Sequence, residues 1–191
     1  MSDRREDIEL IHATARGDRA AFSALVGRHR AAVWRLARAM TASEQSAEDV
    51  LQETFLAVYR GASGFRSESS PRAWILGTAR FKAARTWRRR AGEPAAAEPL
   101  DELGCAAGWG DPELATAALE DRDRLHAALW RLSAGDREVL VLRDLEQLTA
   151  PEVAQATGLS EGAVKSRLHR ARLRLLKQLR QDLNDQGGDH V

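Results

Sequence analysis

Apolar residues along this chain recur at intervals of three and four, and no stretch alternates cleanly, so the pattern predicts helices throughout. The sharpest instance is residues 149–178, TAPEVAQATGLSEGAVKSRLHRARLRLLKQ, which reads as two helices joined by a tight turn. Thr149 is placed to cap the first, with Pro151 in its first turn and Glu152 three residues on to close a capping box. Val153, Ala156 and Leu159 give an apolar face, and Gly158 ends the helix where a positive φ is expected. Ser160 caps the second helix, whose Val164, Leu168, Ala171 and Leu175 form a four-three-four stripe that must bury itself.

Upstream, residues 6–16 predict a short helix with Ile8, Ile11 and Ala15 inward. Asp18 then caps a helix to about Met40, with its stripe on Phe22, Leu25, Val26, His29, Val33, Leu36, Ala37 and Met40. His29 has no cysteine or second histidine at metal spacing and reads as a packed histidine. Ser46 is the predicted cap of a third helix with Val50, Leu51, Phe55 and Val58 inward, and Ser70–Pro71 open a fourth that runs to about Arg90. Residues 92–112 hold three of the five prolines and no period, which marks a linker in which Trp109 could dock transiently. A helix from Asp111–Pro112 to about Leu132, with Leu114, Ala118, Leu125, Ala128 and Leu129 on one face, and another capped by Ser133 lead into the final pair. The predicted fold is all-α: two small helical domains, 1–92 and 113–180, joined by a flexible linker at 93–112. The second ends in a helix-turn-helix, and residues 181–191, polar and glycine-bearing, form a disordered tail.

Net charge is only +1, but its distribution is uneven: 17 basic against 10 acidic residues in 1–92, 2 against 9 in 93–129, and 10 against 9 in 130–191. The middle segment reads as an acidic spacer between two nucleic-acid candidates. The one cysteine, Cys105, excludes an internal disulfide framework and fits a reducing, cytoplasmic compartment. The N-terminus is too acidic for a signal peptide and no apolar run approaches membrane length, so membrane insertion is not expected. The chain carries no glycine-rich phosphate loop, metal-ligand cluster or Ser–His–Asp arrangement, so no cofactor, metal or enzymatic activity is expected.

Three surfaces remain as candidates. From Ser160 to Arg180 there are seven Lys or Arg and one acid, Glu161, and most of the cations fall off the apolar stripe. A helix with one side packed and a cationic side outward suits a major groove, its start near base edges and its cations near phosphates. The helix at 71–90 carries Arg72, Arg80, Lys82, Arg85, Arg88, Arg89 and Arg90 without an acid between them, and a helix cannot hide seven cations in a core. Trp74 and Trp87 interleave with them, either as core residues or as stacking surfaces for unpaired bases. The face made by Glu48, Asp49, Gln52 and Glu53 is acidic, which suits a protein partner better than DNA.

The order and spacing of GDRAAFSALV (17–26), AEDVLQETFLAVYR (47–60), SPRAWILGTARFKAARTWRRR (70–90) and the run LSAGDREVLVLRDLEQLT…RLRL (132–175) resemble the bacterial sigma factors of the extracytoplasmic-function group. The resemblance covers nearly all of residues 8–178 outside the linker. It implies an alternative sigma factor that directs core RNA polymerase to promoter DNA and assists its opening, under the control of an anti-sigma factor, membrane-anchored or soluble. By the same resemblance, Asp49, Gln52, Glu53 and Phe55 would dock on polymerase. Arg66, Arg72, Trp74, Arg80, Lys82, Arg85, Trp87 and Arg88 would serve minus-ten recognition and melting. Ser160, Gly162, Lys165, Ser166, Arg167 and Arg170 would read the minus-thirty-five element. Family members usually carry Asn directly after the arginine matching Arg80 and Asp four residues later; Phe81 and Arg85 stand there instead, and the helix is more basic for it. Two other readings compete. A stand-alone helix-turn-helix regulator accounts for 149–178 but gives the cations of 71–90 and the acids of 49–53 no linked role. A basic helical adaptor would bind DNA without sequence preference.

Overall fold

The computed structural model describes the backbone of residues 2–89 and 124–187, and the side chains of 3–85 and 124–182. All the regular structure among them is helical. The predicted linker with Cys105 and Trp109, the helix start at Asp111–Pro112 with Leu114 and Ala118, and residues 188–191 lie outside the described residues.

Helix α1 (Ser2–Ala15) begins earlier than its apolar period predicts. Ion pairs hold the extra turn, because Arg28 gathers Asp3 at 3.2 Å, Glu6 at 3.0 Å and Asp7 at 2.7 Å. Ile11 is fully buried, but Ala15, expected inward, is exposed where the chain leaves the helix through Gly17 at φ 89°. Helix α2 (Arg19–Met40) starts at the predicted cap, Asp18, whose carboxylate accepts from Ala20 N (2.8 Å) and Ala21 N (3.0 Å). His29 is buried on α2 with its Nε2 2.9 Å from Asp7 Oδ2.

Helix α3 (Glu44–Gly61) is capped by Ser43, not by Ser46. Ser43 Oγ accepts from Ser46 N at 3.2 Å, and Ser46 is buried inside the first turn. A 3-10 turn at Ala62–Gly64 and a loop lead to α4 (Pro71–Arg89).

In the second half, residues 124–130 form α5, followed by α6 (Ala134–Leu140), a π turn (Val141–Leu145), α7 (Ala150–Thr157) and α8 (Glu161–Gly187). Helix α8 runs on through 181–187, where a disordered tail was predicted. Arg131 Nη1 donates to Asp182 Oδ1 at 2.6 Å and ties this extension back to the domain. Polarity alone misjudged it, because a solvated helix end needs few apolar residues once it grows from a packed one.

The buried apolar residues of both halves form one continuous cluster. Helices α4 and α7 cross so closely that a Cβ on Gly77 would stand 3.1 Å from Ala156 O. At the end of this crossing Ser70 Oγ donates to Glu152 Oε1 (2.7 Å), and Ser70 N donates to Gln155 Oε1 (3.2 Å).

Candidate nucleic-acid interface

The helix-turn-helix forms as its local chemistry requires. Thr149 Oγ1 accepts from Glu152 N at 3.4 Å while Glu152 Oε2 accepts from Thr149 N at 2.8 Å, the two halves of a capping box. Burial alone would raise the Glu152 carboxyl, but its hydrogen bonds from Ser70 and Thr149 outweigh this and hold it below the ordinary value. Gly158 closes α7 at φ 74°, a conformation that costs a Cβ-bearing residue. Ser160 Oγ then accepts from Ala163 N at 3.2 Å and caps α8.

The stripe of α8 buries Val164, Leu168 and Ala171, which turns Lys165, Ser166, His169 and Arg170 outward. Ser160 and Gly162 are exposed at the helix start, while Ser166 Oγ donates back to Gly162 O at 2.9 Å. The cations of α8 fall into two sets. Lys165 and Arg170 face solvent. Arg172 grips Asp144 through two bonds of 2.9 and 2.5 Å, and Arg174 pairs with the buried Asp136. Arg167 belongs to neither set. It is half-buried and lies across Gly135, so that a Cβ there would stand 2.8 Å from its Nη1, and its charge acts on Glu138.

On the first domain, Arg66 is exposed in the loop before α4, and Arg85 is exposed on α4 itself. Trp74 packs on Phe65 with ring centroids 5.0 Å apart, so it is half-buried under that loop. Arg72 Nη2 donates to Glu146 Oε2 at 2.7 Å, Arg80 pairs with Glu138, and Lys82 Nζ reaches Glu53 Oε2 at 3.1 Å. Phe81, between Arg80 and Lys82, is 56% exposed. The α4 backbone includes Trp87 and Arg88, whose side chains lie outside those described.

The acidic candidate face on α3 is accessible: Glu48, Asp49, Gln52 and Glu53 are all exposed. Phe55, assigned to polymerase docking by resemblance, is 7% exposed and belongs to the core instead. Helical phase explains the burial, since Phe55 lies four residues after Leu51 and three before Val58, both on the inward face. The apolar surface on the outer face comes from Leu56 (53% exposed) and Tyr59 (41%). Leu56 shares a groove of about 490 Å³ with Glu53, Ala57, Arg60, Gly61 and Lys82.

Sequence reasoning missed the carboxylates that join the halves. Glu146, with a side chain wholly removed from solvent, receives Arg35 through Nε (2.7 Å) and Nη2 (2.9 Å) as well as Arg72. Glu138 is buried too, with its side chain 7% exposed. Its burial raises the carboxyl above the ordinary value, and Arg80 and Arg167 offset only part of that. Both acids sit in the apolar run REVLVLRDLEQL, four residues to either side of Leu142 and so on its buried face. An acid at such a position needs a cationic partner, and that was the available signal. Arg137 was missed as well. It lies over the Trp130 ring at 3.9 Å to the centroid, and burial lowers its guanidinium to about 10.

Two helical units, one ending in a helix-turn-helix whose second helix offers cations at its start and the other carrying a basic helix beside an acidic face, fit the class of helical DNA-binding transcription factors. The Sigma-70 region 2 family matches residues 25–93, and the Sigma-70, region 4 family matches residues 122–175. The ECF RNA polymerase sigma factor SigM of Mycobacterium tuberculosis is 34% identical over 92% of this chain and 85% of its own length. RNA polymerase sigma factor CnrH of Cupriavidus metallidurans is 34% identical over 89% of this chain and 93% of its own. The structure of CnrH in complex with the cytosolic domain of CnrY superposes with a TM-score of 0.71 at 29% identity, covering 93% of this chain and 99% of that one. The sigma factor RpoE of Bartonella quintana, solved with the anti-sigma factor NepR, shares the fold, with a TM-score of 0.68 at 23% identity over 83% of this chain and 96% of that one. The chain belongs to the extracytoplasmic-function group of the sigma-70 family.

Proposed function

We propose that this chain acts as an alternative sigma factor through three surfaces. The exposed acids Asp49 and Glu53, with Gln52 between them and Leu56 beside them, dock on a basic element of core RNA polymerase. Arg66, Arg72, Arg80, Lys82 and Arg85 hold the backbone of the minus-ten element while it opens, a role that Trp87 and Arg88 extend. Ser160, Gly162, Lys165, Ser166, Arg167 and Arg170 enter the major groove at minus thirty-five, where an arginine bonding two base acceptors is worth about 1–3 kcal/mol of discrimination. Trp74 supports the loop from below rather than stacking on a base. The chain itself breaks no bond, because phosphodiester chemistry belongs to the polymerase it positions in the cytoplasm. Its relatives' complexes with CnrY and NepR support control by an anti-sigma factor, whether soluble or anchored in the membrane.

The observation that carries the reading is the start of α8, where buried Val164 and Leu168 turn Lys165 and Arg170 out together beside the exposed cap. In vitro transcription with purified core polymerase and a promoter library tests it. Arg170→Glu is expected to lose promoter-specific transcripts at least tenfold, about one bidentate contact, while binding core polymerase like the parent. Unchanged promoter use by this variant would remove α8 from the reading.

A further inference from the structure

Helix α1 carries an extra turn that its apolar period does not call for, and Arg4 lies in it. Arg4 Nη2 donates to two successive carbonyls of the loop before α4, Glu68 O at 2.9 Å and Ser69 O at 3.4 Å. About two turns further along α1, His12 Nε2 shares a hydrogen bond of 3.0 Å with Ser67 Oγ. The loop also closes on itself, where Ser69 N donates to Arg66 O at 2.9 Å, and Arg66 stays exposed in the turn so formed. We propose that Arg4 and His12 make α1 a clamp on residues 67–69, which positions Arg66 to receive the backbone of the opened minus-ten strand, an assignment that rests on the reading of this loop and α4 as the minus-ten surface.

Residues 66–70, RSESS, contain no apolar side chain, so hydrogen bonds rather than packing must give the loop its shape. Ordering such a segment at the moment of DNA binding costs conformational entropy and weakens affinity, whereas a loop already held meets the strand in one shape. The start of α1 is built for this hold. Asp3, Glu6 and Asp7 recur at intervals of three and four, and all three pair with Arg28 of α2. Those pairs fix the extra turn against α2 and leave Arg4 on the flank beside the loop. Because Arg4 grips backbone carbonyls, the hold uses one loop side chain, Ser67. Every group in the clamp belongs to the first domain.

The test uses the full chain in five forms: the parent, Arg4→Ala with His12→Ala, Ser67→Ala, Arg66→Ala, and Arg66→Ala combined with Arg4→Ala and His12→Ala. Anisotropy of a fluorescein-labelled mixed-sequence single strand reads affinity, and amide hydrogen exchange of residues 65–70 reads the order of the loop. The double truncation is expected to speed exchange in 65–70 and leave α2 protected as in the parent. A freed loop that keeps its receiving shape about a third of the time would bind the strand about threefold more weakly. Ser67→Ala cuts the His12 bond from the loop side and is expected to shift both readings the same way by less. It changes no residue of α1, so it decides the matter if the truncations fray that helix. Removing Arg66 takes away the group being positioned, so in that background the truncations are expected to change affinity no further. A loss that persists without Arg66 would mean that Arg4 meets phosphate itself, and overturns the clamp, as does unchanged exchange or unchanged affinity after the double truncation. If Arg66→Ala binds like the parent, the loop's share of the proposed function falls and the clamp with it; if Arg66→Ala weakens binding and the double truncation does not, the clamp alone falls.

Discussion

Asp7 accepts from Arg28 and His29 in a site where its carboxylate is nearly hidden, and both partners belong to α2. Burial alone would raise its carboxyl, but the bonds and charges of His29 and Arg28 outweigh this and bring it below the ordinary 3.8. A depressed carboxyl supplies stability that is complete above the ordinary value and is lost as pH falls through the depressed one. Asp7→Asn is therefore expected to cost about 2 kcal/mol at pH 6, the scale of hydrogen bonds to a charged group, and clearly less at pH 3. Urea melts of both chains at the two pH values check this, and an equal loss at both would remove the carboxylate's charge from the account. None of this pairing was legible in sequence. His29 could be assigned to the core by its period, but the acid that meets it lies 22 residues away and on another helix.

At the scale of elements, what could be read in sequence was local. Asp18, Thr149, Gly158 and Ser160 are caps whose chemistry is complete within four residues, and each holds its predicted helix end. Ser43 and Ser46 show where this fails. Both suit a cap, and only packing, which buries Ser46, decides between them. Glu138 and Glu146 show the limit more plainly, because their partners Arg80 and Arg35 lie 58 and 111 residues away. Phe55 was assigned to the core by its period and to docking by resemblance, and the period proved the better guide. Helix α7 offers an element-scale test, since Glu152 serves its cap and its bond to Ser70 with separate oxygens. Thr149→Ala is expected to cost about 1 kcal/mol, the usual loss of a cap, and lower the thermal midpoint. Ser70→Ala removes the bond between the halves together with the long 3.4 Å bond from Ala73 N at the start of α4, and is expected to cost less. A larger loss from Ser70→Ala would place more of the stability in the start of α4 and its bond to Glu152 than in the start of α7.

For the whole molecule, the relevant quantity is how many cations are free to meet phosphate before DNA arrives. Arg72 and Arg80 are paired with the carboxylates of Glu146 and Glu138, so a strand that binds them exchanges one anion for another and releases few counterions from them. With Glu138→Gln and Glu146→Gln the same arginines carry mobile counterions, which the strand must displace. Each added phosphate contact on a single strand steepens the dependence of log affinity on log salt by about 0.7, so two contacts steepen it by about 1.4. The double variant is thus expected to show the greater slope in anisotropy titrations across a salt series, and its advantage over the parent to be largest in dilute salt. Parallel lines for parent and variant would mean that Arg72 and Arg80 meet phosphate equally in both, and that their ion pairs with the second domain do not compete with DNA.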